Sequence, residues 1–128
     1  MNFWTDTMPR LNIQGDVRRR LQEHFKGFTV AVSVPEKRKF PLVVVRRTGG
    51  AQEEGLDRAT LTVLVWDTTE QKAYDAAAAV SDAIALLPFY AGYAKVKETS
   101  FYSDFDTSTK SPRYHISFNV WTYLPKEN

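Results

Sequence analysis

Few side chains in this chain are of kinds that react, and their spacing is poor for chemistry. His24 and His115 stand far apart, and there is no cysteine. A site of the usual His, Cys and carboxylate kind would need ligands that no local spacing supplies. Asp104 and Asp106 form a D-x-D that could hold a hard cation, but acidic residues also favour turns by bonding their own backbone. Gly49-Gly50 lacks the Lys-Ser/Thr and the following helix that a phosphate-cradling loop requires. Ser100, Ser103, Ser108, Ser111 and Ser117 have no base beside them in sequence. No nucleophile elbow, H-E-x-x-H or carboxylate pair stands out. The expectation is a non-enzyme with no catalytic residue, cofactor or metal.

The other residue types worth weighing are cations and tryptophans. The formal net charge is +2 over 128 residues. Eleven Lys/Arg face seven Asp/Glu up to Leu64, against six and eight after it. The excess lies in Arg18-Arg19-Arg20, Lys37-Arg38-Lys39 and Arg46-Arg47. Nucleic-acid binders usually carry a larger excess, so these clusters read as solvated faces or subunit contacts. Trp4, near the terminus, and Trp121, on the polar side of the last strand, favour a protein interface and a homo-oligomer.

The elements that position these residues centre on Ala59–Pro88. Leu61, Val63 and Val65 alternate with Thr60, Thr62, Leu64 and Trp66, giving a strand inside a sheet. Thr68 with Gln71 reads as a capping box. Ala73, Ala76, Ala77, Val80, Ile84 and Leu87 then trace one helix face, and Pro88 stops it. Upstream, Asp16 reads as the N-cap of a helix to about Phe25. Val17, Leu21 and Phe25 face inward, Arg18, Arg19, Gln22 and Glu23 face away, and Gly27 ends the helix. Phe28–Val34 alternates as a strand with Phe28, Val30, Val32 and Val34 on one side. Leu42–Val45 reads as a second strand, and Arg46–Arg58 as a long charged loop. Ala94–Tyr102 is polar on both faces, as an edge strand is. Ser103–Pro112 is a polar hairpin tip, and Arg113–Tyr123 a strand with Tyr114, Ile116, Phe118 and Val120 inward. The result is α+β: a mainly antiparallel four- to five-stranded sheet with two helices packed on one face. It forms a single domain, with residues 1–15 as an N-terminal arm, 16–123 as the core and 124–128 as a flexible tail. No run is apolar enough to span a bilayer, and the first residues lack the layout of a secretory signal.

The strand Asp57–Trp66, the polar turn, the Ala-rich helix Ala73–Leu87 and the closing strand Arg113–Trp121 together resemble the tail terminator (tail completion) proteins of long-tailed bacteriophages. The resemblance spans about Asp16 to Tyr123; the N-terminal arm and Gly49–Leu56 have no counterpart in it. It implies a virion protein forming a ring, usually a hexamer, on the head-proximal end of the tail, assembled in the host cytoplasm. Its partners would be itself, the major tail tube protein and the head-tail connector or stopper protein. The ring would stop tube polymerisation and dock the connector, with no catalytic residue or cofactor. DNA would pass the lumen without specific binding. A strongly basic lumen would hold phosphates, so Arg18–Arg20 are expected outside it or paired with acids of a neighbour.

A ring needs two different surfaces of each subunit to meet. The residues assigned to that contact are Trp4, Arg18, Arg19, Arg46, Arg47, Lys95, Lys97 and Trp121. Those assigned to the tube or connector are Gly49, Gly50, Glu53, Glu54, Asp104, Phe105, Asp106 and Lys110. The alternatives are another phage neck component, such as a head-closure or connector protein, and a small-ligand-binding α+β domain with a concave apolar pocket.

Overall fold

A computed structural model describes residues 10–124. It contains helix α1 (Ile13–His24) and strands β1 (Thr29–Ala31), β2 (Leu42–Glu53) and β3 (Leu56–Trp66). Helix α2 (Glu70–Ala85), a 3-10 turn (Leu87–Phe89), β4 (Tyr93–Ser103) and β5 (Arg113–Tyr123) follow. The five strands make one sheet in the order β1-β2-β3-β5-β4. Every ladder is antiparallel except the short parallel β1–β2 pair. The fold is α+β, as the periodicity implies.

Alternation decides which face is covered. Asp57, Ala59, Leu61, Val63 and Val65 of β3 are buried on one side, and Tyr114, Ile116, Phe118 and Val120 of β5 continue that layer. Ile13, Val17 and Leu21 of α1 and the Ala73–Ile84 face of α2 close over it in a single core. Alanines at 73, 76 and 77 let α2 lie close to the sheet. On the other face, a small second cluster of Leu42, Val44 and Trp66, with Phe40 and Leu64, covers one end only.

Several boundaries differ from the sequence reading. Helix α1 starts earlier: Asn12, not Asp16, is the N-cap, and its side chain accepts from Gly15 N at 3.3 Å. Asp16 instead sits in the first turn, where a carboxylate suits the helix dipole. The helix ends at His24 before Gly27 is reached, because the Gln22 amide takes the carbonyls of Phe25 (3.3 Å) and Phe28 (2.7 Å). The cap of α2 is Thr69, one residue beyond Thr68; it accepts from Lys72 N at 3.1 Å, and Gln71 turns to Asp75. That helix closes at Ala85, and Pro88 lies in the 3-10 turn that follows.

The strand expected over Phe28–Val34 shrinks to Thr29–Ala31, leaving Val32 and Val34 exposed. The loop expected over Arg46–Arg58 is instead a β-hairpin, paired from Leu42↔Trp66 to Glu53↔Leu56. A bulge at Arg47/Gly49 followed by Gly50 at φ 107° absorbs its glycines. A Cβ on Gly50 would stand 1.9 Å from the Arg58 carbonyl oxygen, so only glycine lets the two backbones approach there.

Candidate functional site

The sheet face away from the helices is where several of the expected contact residues gather. Register places Val44, Leu64, His115 and Tyr102 in one row across the four long strands. Arg46, Thr62, Ser117 and Ser100 form the next, then Gly49, Thr60, Asn119 and Lys97, then Ala51, Arg58, Trp121 and Lys95. Beyond the first row these are polar or half-exposed, so the face is stable in water without a cover. The Thr48 and Thr62 hydroxyls meet at 2.8 Å, Tyr102 stacks on His115 at 4.9 Å, and the Lys95 ammonium lies 5.0 Å from the Trp121 ring. Arg46, Lys95, Lys97 and Trp121, far apart in sequence, therefore share one basic face.

The other residues assigned to subunit contact are elsewhere. Trp4 lies outside the described residues. Arg18 does not face away; its Nε donates to the Val30 carbonyl at 3.1 Å. Arg19 is held by Asp16 (2.9 Å) and Glu23 (3.2 Å), and Arg20 by Asp16 at 2.9 Å. The acids that neutralise this cluster thus belong to the same helix. Arg47 points to the helix side and grips Asp57 with both nitrogens, at 2.6 and 2.8 Å. Asp57 is only 1% exposed, and Arg10 adds a third contact at 3.5 Å. The Arg47 bond outweighs burial and holds this carboxyl below its ordinary range, so the pair is a buried structural clasp.

Of the residues assigned to tube or connector contact, Gly49, Gly50 and Glu53 lie in β2, and Glu54 occupies the hairpin turn at φ 47°. Asp104 binds Arg113 at 3.0 Å and lies 3.6 Å from His115, while Phe105 and Lys110 are exposed on the β4–β5 connection. Asp106 is not at an exposed tip: it is 6% exposed. Its Oδ2 accepts from Trp66 Nε1 (2.9 Å) and Arg38 (3.1 Å), and its Oδ1 from Ser108 N (3.1 Å) and Ser108 Oγ (2.7 Å). Burial pushes this carboxyl up, and the donors from Ser108, Trp66 and Arg38 more than reverse that, leaving it far below the carboxylate range. The two aspartates of the D-x-D share Arg113, which lies 3.0 Å from Asp104 and 3.8 Å from Asp106, and among the described residues no three His, Asp or Glu side chains gather as metal ligands.

No protein-family model matches this chain, and no curated protein matches it significantly.

Two features escape the sequence reading. Gln14, Arg18 and Gln22, four apart on α1, seal one edge of the sheet. Gln14 Oε1 accepts from Arg47 N (2.9 Å), and Gln22 Oε1 from Val30 N (3.1 Å), while Arg18 takes the Val30 carbonyl. The spacing was visible, but polar side chains on a helix read as solvated until the adjoining edge is placed. The second feature is an apolar patch at the end of α2, where Leu86, Phe89 and Tyr90 are exposed, Phe89 at 85%. It borders a groove walled by Val17, Leu21, Ile84 and Leu87, with Arg20 over the Tyr90 ring at 4.3 Å. Such a patch on an ordered turn is a mark of a contact surface.

Proposed function

We propose that this chain is a structural component of a long-tailed phage, a tail terminator that closes the head-proximal end of the tail tube as a ring, with six copies as the expected number. The observation that carries the reading is the relation between the two stretches that resemble that family. Asp57–Trp66 and Arg113–Trp121 are neighbours at the middle of the sheet, in unbroken register from Trp66↔Arg113 to Asp57↔Thr122. With α2 they form one scaffold, which suits the reading that the two stretches belong to one pattern. Around that scaffold, Arg46, Lys95, Lys97 and Tyr102 are exposed on the open face, Phe89 and Tyr90 at the α2 end, and Phe105 and Lys110 on the β4–β5 connection. The internal pairing of Arg19 and Arg20 with Asp16 also suits a ring that lets DNA pass, because a paired guanidinium offers phosphate less.

In this reading the subunit contacts run around the ring, and one rim meets the tube protein while the other meets the connector. The test is a polymerisation assay. Purified chain is added to a self-assembling tail tube protein, and tube length and ends are imaged by electron microscopy. Arrested tubes bearing a ring at one end are expected. Tubes that grow unchecked and uncapped at every ratio refute the reading.

A further inference from the structure

The sheet end that carries the β2–β3 turn is divided by charge. On one flank, the outer edge of β2 is covered by β1 over Leu42–Val44 and by Gln14 at Arg47, and neither covers it beyond the bulge. That stretch ends in Glu53 and Glu54, both exposed. Glu53 accepts from Arg58 at 2.8 Å, and Glu54 has no ion-pair partner among the described residues. On the other flank, β4 exposes Lys95 and Lys97, neither paired with a carboxylate among the described residues. Between the flanks the open face has a hollow lined by Glu53, Glu54, Leu56 and Trp121. Two carboxylates beside an indole are what an ammonium group binds; the chain's own Lys95 already lies 5.0 Å from that ring, so an incoming lysine would meet chiefly the carboxylates.

The flanks also share a level. Lys95 lies opposite Trp121, Trp121 opposite Arg58, and Arg58 opposite Ala51. Glu53 is two residues further along β2, about 7 Å away along the strand direction. Rotation about a symmetry axis conserves height along it. Copies arranged head to tail, with their strands along the axis, therefore bring the acidic flank of one to face the basic flank of the next with Lys95 about 7 Å from the level of Glu53, and Lys97, level with Gly49, about 14 Å from it.

We infer that the Glu53–Glu54 turn and its hollow receive the Lys95 side chain of a second copy of this chain in a head-to-tail contact, with Lys97 adding longer-range attraction to the same acidic flank. The closure of that contact into a ring rests on the function proposed above; the pairing itself rests on charge and level. Sheet-edge lysines then have two tasks, discouraging strand addition and selecting the acidic flank of a like copy.

Charge reversal of the full chain, followed by sedimentation velocity and native mass spectrometry at low salt over a wide concentration range, tests it. Lys95→Glu/Lys97→Glu and Glu53→Lys/Glu54→Lys should each weaken self-association about tenfold or more. A chain carrying all four reversals should regain it, and the two double variants, mixed, should associate with each other. The four positions are exposed, and matching thermal transitions verify that the fold is kept. A wild-type chain monomeric throughout, double variants that associate like wild type, or four reversals that restore nothing would each overturn the inference. The tube assay separates the two ideas. Arrest of tubes unaltered by either double variant removes this contact and leaves the terminator reading standing. Association that follows the charge swap without any tube arrest does the reverse.

Discussion

Asp106→Asn isolates the contribution of one buried carboxylate to holding the β4–β5 connection on the sheet. The amide keeps the shape, but one of its two terminal atoms becomes a donor. That donor must face either the Trp66 indole N–H or the Ser108 amide, both of which now donate to Asp106. A hydrogen bond to a charged group contributes about 1.5–3 kcal/mol, and a buried donor left without an acceptor costs about 1–3 kcal/mol. One lost bond and one orphaned donor give a loss of about 3 kcal/mol at neutral pH. With an unfolding entropy of ~2.1 cal/mol/K per residue, a 128-residue chain converts this into a fall in Tm of about 11 °C. The pH dependence has a definite sign. The folded Asp106 carboxyl lies below its ordinary value of 3.8. Its stabilisation is therefore complete above 3.8 and declines as pH falls toward the folded value, by about 1.4 kcal/mol per pH unit. The variant cannot titrate there, so its deficit should shrink by about 1 kcal/mol between pH 7 and pH 3. Urea unfolding followed by tryptophan fluorescence at both pH values measures this. A variant within about 0.5 kcal/mol of wild type at pH 7, or a deficit that does not change with pH, refutes the reasoning.

Arg47→Met leaves Asp57 buried with only the distant Arg10 contact, and should cost about 3 kcal/mol by thermal unfolding. Asp57→Asn should cost less, because the freed Arg47 side chain, about a fifth exposed, can reach water. Gly50→Ala should destabilise by about 3 kcal/mol, since the new Cβ meets the Arg58 carbonyl and the positive φ disfavours it; denaturant titration reads the loss. Gln22→Leu removes the acceptor of Val30 N–H and the donor to the Phe28 carbonyl, at about 2 kcal/mol, and should raise light scattering on mild heating as an edge amide is bared.

The parts legible in the sequence were those with strong periodicity. The alternation in Leu61–Val65 and Tyr114–Val120, and the Ala73–Leu87 stripe, place the same residues in the core that the structure buries. The Arg46–Arg58 hairpin was not legible, because its strands carry two glycines, a bulge and exposed charges, and each of these lowers the apparent strand signal without preventing backbone pairing. Val32 and Val34 misled in the opposite way. They alternate well, but the outward amide of Arg47, next along the edge of β2, is already bound by Gln14, and β1 ends at Ala31. As for the candidate surface, a basic cluster singles out Arg46, the edge-strand pattern Lys95 and Lys97, and strand alternation Trp121, but only the register shows that they share a face. Asp106 and Arg47 have the same composition signal but are held in buried clasps, a difference set by tertiary neighbours that local spacing does not encode.

The treatment of the sheet edges bears on how copies can meet. An open five-stranded sheet has two edges, and an unguarded edge recruits strands without discrimination. Here the three residues of β1 cannot cover the twelve of β2, and α1 takes part of the remainder through Gln14, with Arg18 and Gln22 satisfying β1 itself. The far edge, β4, is broken by bulges at Tyr93/Lys95 and Glu98/Ser100 and carries Lys95 and Lys97. A continuous ladder from β4 of one copy to β1 of another is thus opposed on both sides, by a helix on one and by irregular, charged backbone on the other. In the head-to-tail contact inferred above, the bare β2 stretch beyond the bulge would meet this irregular edge mainly through side chains, whose attraction falls with salt and whose specificity comes from charge pattern. That is the kind of contact a ring needs if its subunits are to stay soluble alone and close only in one register: weak for any pair, yet multiplied when every subunit engages two neighbours.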